Sequence, residues 1–367
     1  MLKRLARRAI RAALGNERIR TVIDAELRTR RKAVAPEPTP LAGREFVDRH
    51  GLAHPLDPTL RDRLKPSWRT MLDPIAIARP PSDEALRDRA RKAATVVAEA
   101  STLVAATTGR PLAGRILEVG CYDGAAAYQL ATRPGTEVVA SDLARYYLVQ
   151  RPGASTDADL GPQQGLLDDI RERAGVASGA APGTVTFVED DITHSTLPVG
   201  SFDAIVSFEV LEHVADPDAA FAGMARLLRP GGLLYHDYNP FFSINGGHSP
   251  CTLDFAWGHA RLDAEDFERY LRELRPSEID QALRFYGQNL NRMTLADLRE
   301  AVTGAGLELV AVIPWSDRAL VPRLESEVLG EVRRSYPTAT IEDLLSTFVS
   351  IVARRPGGSD GSTPPRP

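Results

Sequence analysis

The stretch Ile116-Leu117-Glu118-Val119-Gly120-Cys121-Tyr122-Asp123-Gly124 constrains this chain more than any other part of it. A short apolar run that ends in an acid and two glycines reads as a strand stopped by a tight turn, with a helix to follow. Such a turn leaves backbone N–H groups facing a crevice at the carboxyl end of a sheet, where they suit a nucleoside-like ligand. The 367 residues, 43% of them hydrophobic, supply a core large enough to support that sheet.

Strand and helix patterns alternate around this run. Strands are expected at Arg115 to Val119, Glu137 to Ser141, Thr184 to Glu189, Phe202 to Phe208, Gly232 to Tyr238, Leu307 to Pro314 and Ser346 to Ala353. Helices are expected from Asp83 to about Thr108 and over roughly 124–133, 161–175, 216–228 and 294–304. The first five strands, separated by helical crossovers, predict an α/β fold with a doubly wound, seven-stranded, mostly parallel sheet; the last two are expected to be antiparallel.

The flanks differ in composition. Residues 1–34 hold 11 Lys or Arg against 3 acids, a net +8 that leaves −12 on the rest of a chain of net charge −4. Apolar residues at helical spacing make this segment a basic amphipathic head, suited to its own acidic body, an acidic partner or an anionic membrane surface. Nine prolines between residues 33 and 82 predict a linker or a draped extension over 35–82, and the Pro- and Gly-rich residues 356–367 a disordered tail. The domain proper then runs over 83–355. Cys121 and Cys251 are too few for a disulfide framework and have no metal-ligand spacing. With no apolar run near the about 18 residues of a spanning helix, a cytoplasmic protein is expected, with peripheral membrane attachment open.

Five segments together resemble the class I S-adenosylmethionine-dependent methyltransferases: Glu118 to Gly124, Val138 to Leu143, Val188 to Ile192, Phe202 to Val214 and Arg226 to Leu234. The resemblance covers 113–239 and, more weakly, 294–355, and implies the Rossmann-like methyltransferase fold with S-adenosylmethionine as cofactor. It places Glu118 and the backbone of Gly120, Cys121 and Gly124 near the methionine half of that cofactor, and Asp142, followed by Leu143, at the ribose hydroxyls. It places Asp191 at the adenine amino group with Ile192 on the ring, and Phe208 and Glu209, followed by His213, on the pocket floor. Tyr122 stands where this family usually has glycine, and it either points toward the acceptor or reflects tolerated variation.

Substrate chemistry is expected in the segment between the fifth strand and the helix near Leu295. Residues 240–293 mix glycines, aromatics, Asn, His and Asp, as a lid over the cofactor would, with an amphipathic helix from Asp263 to Arg275. If the acceptor is a hydroxyl it needs a base, and His248, or His236 with Asp237, are the preferred candidates among His213, His236, Asp237, His248 and His259. No second carboxylate pairs with Asp237 at diagnostic spacing, so no metal is expected. The reading favours O-methylation of a sugar or related small hydroxylated metabolite. A lipid-linked or quinone acceptor at a membrane surface, and a non-catalytic cofactor-binding regulator, are the alternatives. The acidic body speaks against nucleic acid, and the missing Gly-x-Gly-x-x-Gly against a nicotinamide oxidoreductase. Oligomeric state is not legible.

Overall fold

The apolar runs between Ile116 and Ala353 are continuous rather than alternating, as expected of strands covered on both faces. In the computed structural model, which describes residues 41, 43–72, 80–143, 160–181 and 183–357, they form a seven-stranded sheet. The basic head 1–34 and most of the tail 356–367 lie outside the described residues.

A two-stranded hairpin, β1 (Glu45–Val47) and β2 (Ala53–Pro55), precedes the sheet. The sheet contains β3 (Gly114–Val119), β4 (Thr136–Asp142), β5 (Val185–Glu189), β6 (Phe202–Phe208), β7 (Leu228–Tyr238), β8 (Glu308–Ser316) and β9 (Ser346–Arg354). Their spatial order is β5-β4-β3-β6-β7-β9-β8. The first five run parallel. β9 is antiparallel to both β7 and β8, so β8 runs with the parallel set and β9 alone is reversed. One expected crossover is also different: residues 190–201 connect β5 to β6 by turns, without a helix.

Helices α1 (Asp83–Thr108), α2 (Ala125–Ala131) and α3 (Leu160–Ala177) share a core with one face of the sheet, through Val97, Val104, Leu130, Ile170, Ile116 and Val206. Helices α4 (Pro217–Leu227) and α6 (Leu295–Gly304) cover the other face, through Phe221, Met224, Leu298, Leu117 and Ile205. Ile116 and Leu117 thus enter opposite cores, as successive strand residues must.

The segment expected as a lid is part of a larger body. Phe241, Phe242, Trp257 and Phe267 are buried with Phe46 and Leu56 from the Pro-rich extension and with Val328, Val332 and Leu344 from between β8 and β9. Helix α5 (Ala264–Leu274) begins with Asp263 accepting a hydrogen bond from Asp266 N and buries Phe267, Tyr270 and Leu271 against this core. Beneath it, buried Arg275 donates through Nε to Asp254 Oδ2 at 2.8 Å, and Tyr270 OH donates to the same oxygen at 2.5 Å. The Trp257 indole N–H donates to Leu344 O at 2.9 Å, tying the insertion to the segment before β9. Three distant stretches therefore make one cap at the carboxyl end of β6 and β7.

Candidate functional site

The turn after β3 is held from three sides. Gly120 N and Cys121 N donate to Ser141 O at 2.8 and 3.0 Å, which closes the turn against β4. From α3, Arg171 Nε donates to Tyr122 O at 3.0 Å, and from α1, Arg89 pairs with Asp123 at 2.8 Å. Gly120 and Gly124 have φ of 74° and 77°, the left-handed region that glycine enters without strain. A Cβ on Gly120 would overlap the Val210 side chain, so the turn after β3 and the turn after β6 touch there.

Tyr122, at the expected departure, also has positive φ, 45°, and is 37% exposed, with its ring near the Arg89 guanidinium. Its backbone N–H donates to Asp142 Oδ2 at 2.6 Å, while Leu143 N donates to Oδ1 at 2.7 Å. Burial raises the Asp142 carboxyl above its ordinary range, offset in part by those two bonds. Glu118 is fully buried, and burial together with Asp123 and Asp142 drives its pKa well up. The backbone of Ala127 bonds it, yet Oε2 has no partner among the described residues. Two acids, one holding an unmet acceptor oxygen, thus flank a turn of close-packed backbone.

Other expected cofactor positions fall at neighbouring strand ends. Asp191 caps its own turn, accepting from Thr193 N at 2.9 Å and Thr193 Oγ1 at 2.7 Å, beside buried Ile192. Leu143 is exposed at the end of β4. Phe208 is half-buried against Tyr235, and Glu209 is exposed with φ 55°. Asp237 holds that strained turn by accepting from Glu209 N at 3.1 Å. Tyr235 OH donates to the other Asp237 oxygen at 3.2 Å, and burial still pushes the Asp237 carboxyl up to about 7.

The base candidates separate. His236 and Asp237 are successive residues of β7, so they point to opposite faces and cannot work as a pair. His236 is wholly buried beneath α4, edge-on to Phe221, with Nδ1 bonded to Ser207 Oγ, and burial alone depresses it to about 3. That is a core histidine. His259 is equally buried, bonded through Nε2 to Phe241 O inside the cap. His248 behaves differently. Its ring stacks on His213 at 4.7 Å, with the two Nε2 atoms 2.8 Å apart. Burial and His213 hold it well below the ordinary imidazole range, so it stays neutral near pH 7.

Glu212, which sequence reasoning passed over, completes this cluster. Its carboxylate, His213 and His248 each place a ligand-type atom within 4.8 Å of the others. Asn239 donates to Glu212 Oε1 through N at 3.2 Å and Nδ2 at 3.3 Å, whereas Oε2 has no partner among the described residues. Burial pushes the Glu212 carboxyl up to about 8. Asn291 fixes the turn by donating through Nδ2 to Leu211 O and Val214 O at 2.6 and 2.9 Å. Only the adjacency Glu212-His213 was visible in sequence; His248 arrives from 35 residues away.

The family described as "Methyltransferase domain" matches residues 85–312. Among curated relatives, a protein named ubiquinone biosynthesis O-methyltransferase from Xylella fastidiosa is 32% identical over 213 residues, 57% of this chain and 69% of the relative. Its namesake from Xanthomonas axonopodis pv. citri is 31% identical over 212 residues, 57% and 71% of the two chains. Among solved structures, phosphoethanolamine N-methyltransferase 2 of Haemonchus contortus, in complex with S-adenosyl-L-methionine, aligns over 75% of this chain and 57% of that one, with 14% identity and a TM-score of 0.42.

Proposed function

Because the chain belongs to the methyltransferase-domain family and is an S-adenosylmethionine-dependent enzyme, we propose that it O-methylates a hydroxyl on a small aromatic acceptor of the quinone-precursor type. The donor set fits the cofactor. Glu118, with its unmet buried oxygen, the backbone from Gly120 to Gly124, and Asp142 would hold it, the acid at the end of β4 accepting from a diol. Bound there, S-adenosylmethionine supplies a methyl group on a cationic sulfur, which passes to an acceptor oxygen while the bonding pair returns to sulfur.

The residues of this chain then have to position a hydroxyl and take its proton. The single observation that carries the reading is the His213–His248 pair, imidazoles stacked at the end of β6 with their Nε2 atoms 2.8 Å apart and His248 held neutral by burial. A hydroxyl that displaces this Nε2–Nε2 hydrogen bond meets the lone pair of a neutral His248. Asn239 and Asn291 keep the turn in place, and Asp237 holds the backbone of Glu209 beside it. The cap, with its buried Phe241, Phe242 and Trp257, keeps water from the side opposite the sheet.

Support for a ring acceptor rather than a sugar comes from the relatives, both named for O-methylation in ubiquinone biosynthesis. Among the described residues no helix is long and apolar enough to cross a membrane. A lipid-linked substrate would therefore be met at the surface, with basic residues 1–34 as the candidate contact. Methyl transfer from labelled cofactor should appear in prenylated dihydroxybenzenes and not in sugars or nucleotide sugars. Label in sugars alone would overturn the acceptor assignment.

A further inference from the structure

We propose that Arg171 is a positioning residue for the cofactor, a role that rests on the placement of S-adenosylmethionine at the turn after β3. It holds Tyr122, the one residue with a side chain at a left-handed position of that turn, in the conformation that aims Asp142.

The backbone comes first. Gly120 and Gly124 enter the left-handed region freely, but Tyr122, with φ of 45°, carries a Cβ there and stays only if its surroundings hold it. It is tied on both sides. Its N–H donates to Asp142 Oδ2 at 2.6 Å, at the end of β4, and its C=O accepts from Arg171 Nε at 3.0 Å, from α3. Were residue 122 to relax toward negative φ, both bonds would be lost together. Asp142 would then keep only Leu143 N, on its other oxygen, and a diol would meet a carboxylate that is no longer aimed.

Arg171 is built into this place rather than lying across it. It is 7% exposed, its guanidinium carbon stands 4.5 Å from the centre of the Phe187 ring, and Nη2 lies 3.6 Å from Cys121 Sγ. Phe187 in turn packs so closely on the turn that a Cβ on Gly124 would overlap it. The guanidinium is thus confined between a ring of β5 and the turn it supports. Burying a cation against a ring, a thiol and a carbonyl is costly, and nearby acids offset that cost. Burial raises the Glu118 and Asp142 carboxyls, and the Arg171 charge draws both back down. One side chain therefore fixes the turn's backbone and favours the ionised Asp142 that accepts from a diol.

The neighbouring arginine does a different job. Arg89, from α1, pairs with the Asp123 carboxylate and lies 5.5 Å from the Tyr122 ring, so it touches side chains where Arg171 touches the peptide. That difference makes the role testable.

The test measures S-adenosylmethionine affinity of the full chain by calorimetry, with Arg171→Met introduced in three backgrounds. In the parent it should weaken binding at least twentyfold. In Tyr122→Ala, which keeps the Cβ and loses the ring, the same loss should remain. In Tyr122→Gly, where the left-handed turn needs no outside hold, Arg171→Met should cost no more than fivefold. Equal losses in all three backgrounds would reduce Arg171 to packing and overturn the proposal. So would relief in Tyr122→Ala as large as in Tyr122→Gly, since it would trace the dependence to the ring. Circular dichroism identifies a variant that fails to fold; Arg171→Lys then replaces Arg171→Met, keeping charge and stem without the Nε donor, and the same ordering decides. Asp142→Ala separates the two levels. If it still weakens binding while the Arg171 losses are equal, only the positioning role falls, whereas parental affinity in Asp142→Ala removes the cofactor from this turn and the role with it.

Discussion

Gly120→Ala probes the point where the cofactor turn and the turn after β6 touch. Glycine there has φ of 74°, and an alanine Cβ would overlap Val210 Cγ2 and stand 2.8 Å from Cγ1. The left-handed conformation costs an alanine about 1–2 kcal/mol. Displacing the half-buried Val210 adds about 1–3 kcal/mol, as for other overpacked sites. The variant should therefore lose about 2–5 kcal/mol by urea unfolding, and S-adenosylmethionine affinity should fall with it, because the N–H groups of Cys121 and Tyr122 move. Val210→Ala, losing two half-buried methyl groups, should cost about 1 kcal/mol on its own. In the double variant the overlap is gone and only the backbone strain remains. The two effects should then be coupled, with Gly120→Ala about 1–3 kcal/mol milder in the Val210→Ala background. Additivity within about 0.5 kcal/mol, the usual limit for independent sites, would refute the contact as the source of the effect.

The remaining expectations concern the acid, the cap and pH. Asp142→Ala should weaken S-adenosylmethionine binding at least a hundredfold by calorimetry, since it removes the carboxylate and frees Tyr122 N; an unchanged affinity would displace the cofactor from this turn. Arg275→Ala strands Asp254 in the cap and should cost about 3–5 kcal/mol in chemical unfolding, whereas Arg275→Met with Asp254→Leu should recover much of it. His236 has a folded pKa of about 3, below its ordinary 6.5. Its contribution is therefore whole above pH 6.5 and declines as the pH falls toward 3. Relative to His236→Gln, the parent should lose about 2 kcal/mol between pH 7 and pH 5, at about 1.4 kcal/mol per unit. Asp237, raised from 3.8 to about 7, works in the opposite sense. Against Asp237→Asn, the parent should weaken as the pH rises from 4 to 7 and then level off, and a flat difference would show that the carboxyl is solvated.

Much of the fold could be read from short-range pattern. Apolar runs bounded by Gly120, Asp142 and Glu209 located the strands, because a parallel strand buried on both faces must be apolar throughout. Asp142 at the end of β4 was legible for the same reason, since a charge can follow such a run where the strand leaves the core, whereas Glu118 lies buried within β3. The helix caps at Ser82, Asp216 and Thr294 accept the hydrogen bonds that their residue types favour. Strand periodicity also held a lesson about the base: His236 and Asp237, adjacent on one strand, face opposite cores whatever the rest of the chain does.

The sequence by itself determined the order of strands and helices and the residues of the cofactor turn, because these depend on neighbours a few positions apart. The tertiary structure decided the rest. It gathered residues near 46, 241, 257, 267 and 332 into one cap, and it brought His248 across 35 residues onto His213 beside an unmet Glu212 oxygen. It also buried His236 and His259 where a lone histidine in sequence looks no different from an exposed one. Such groupings depend on which long loops close against which surfaces, and on the shared burial that repays the closure entropy. No local pattern encodes that choice.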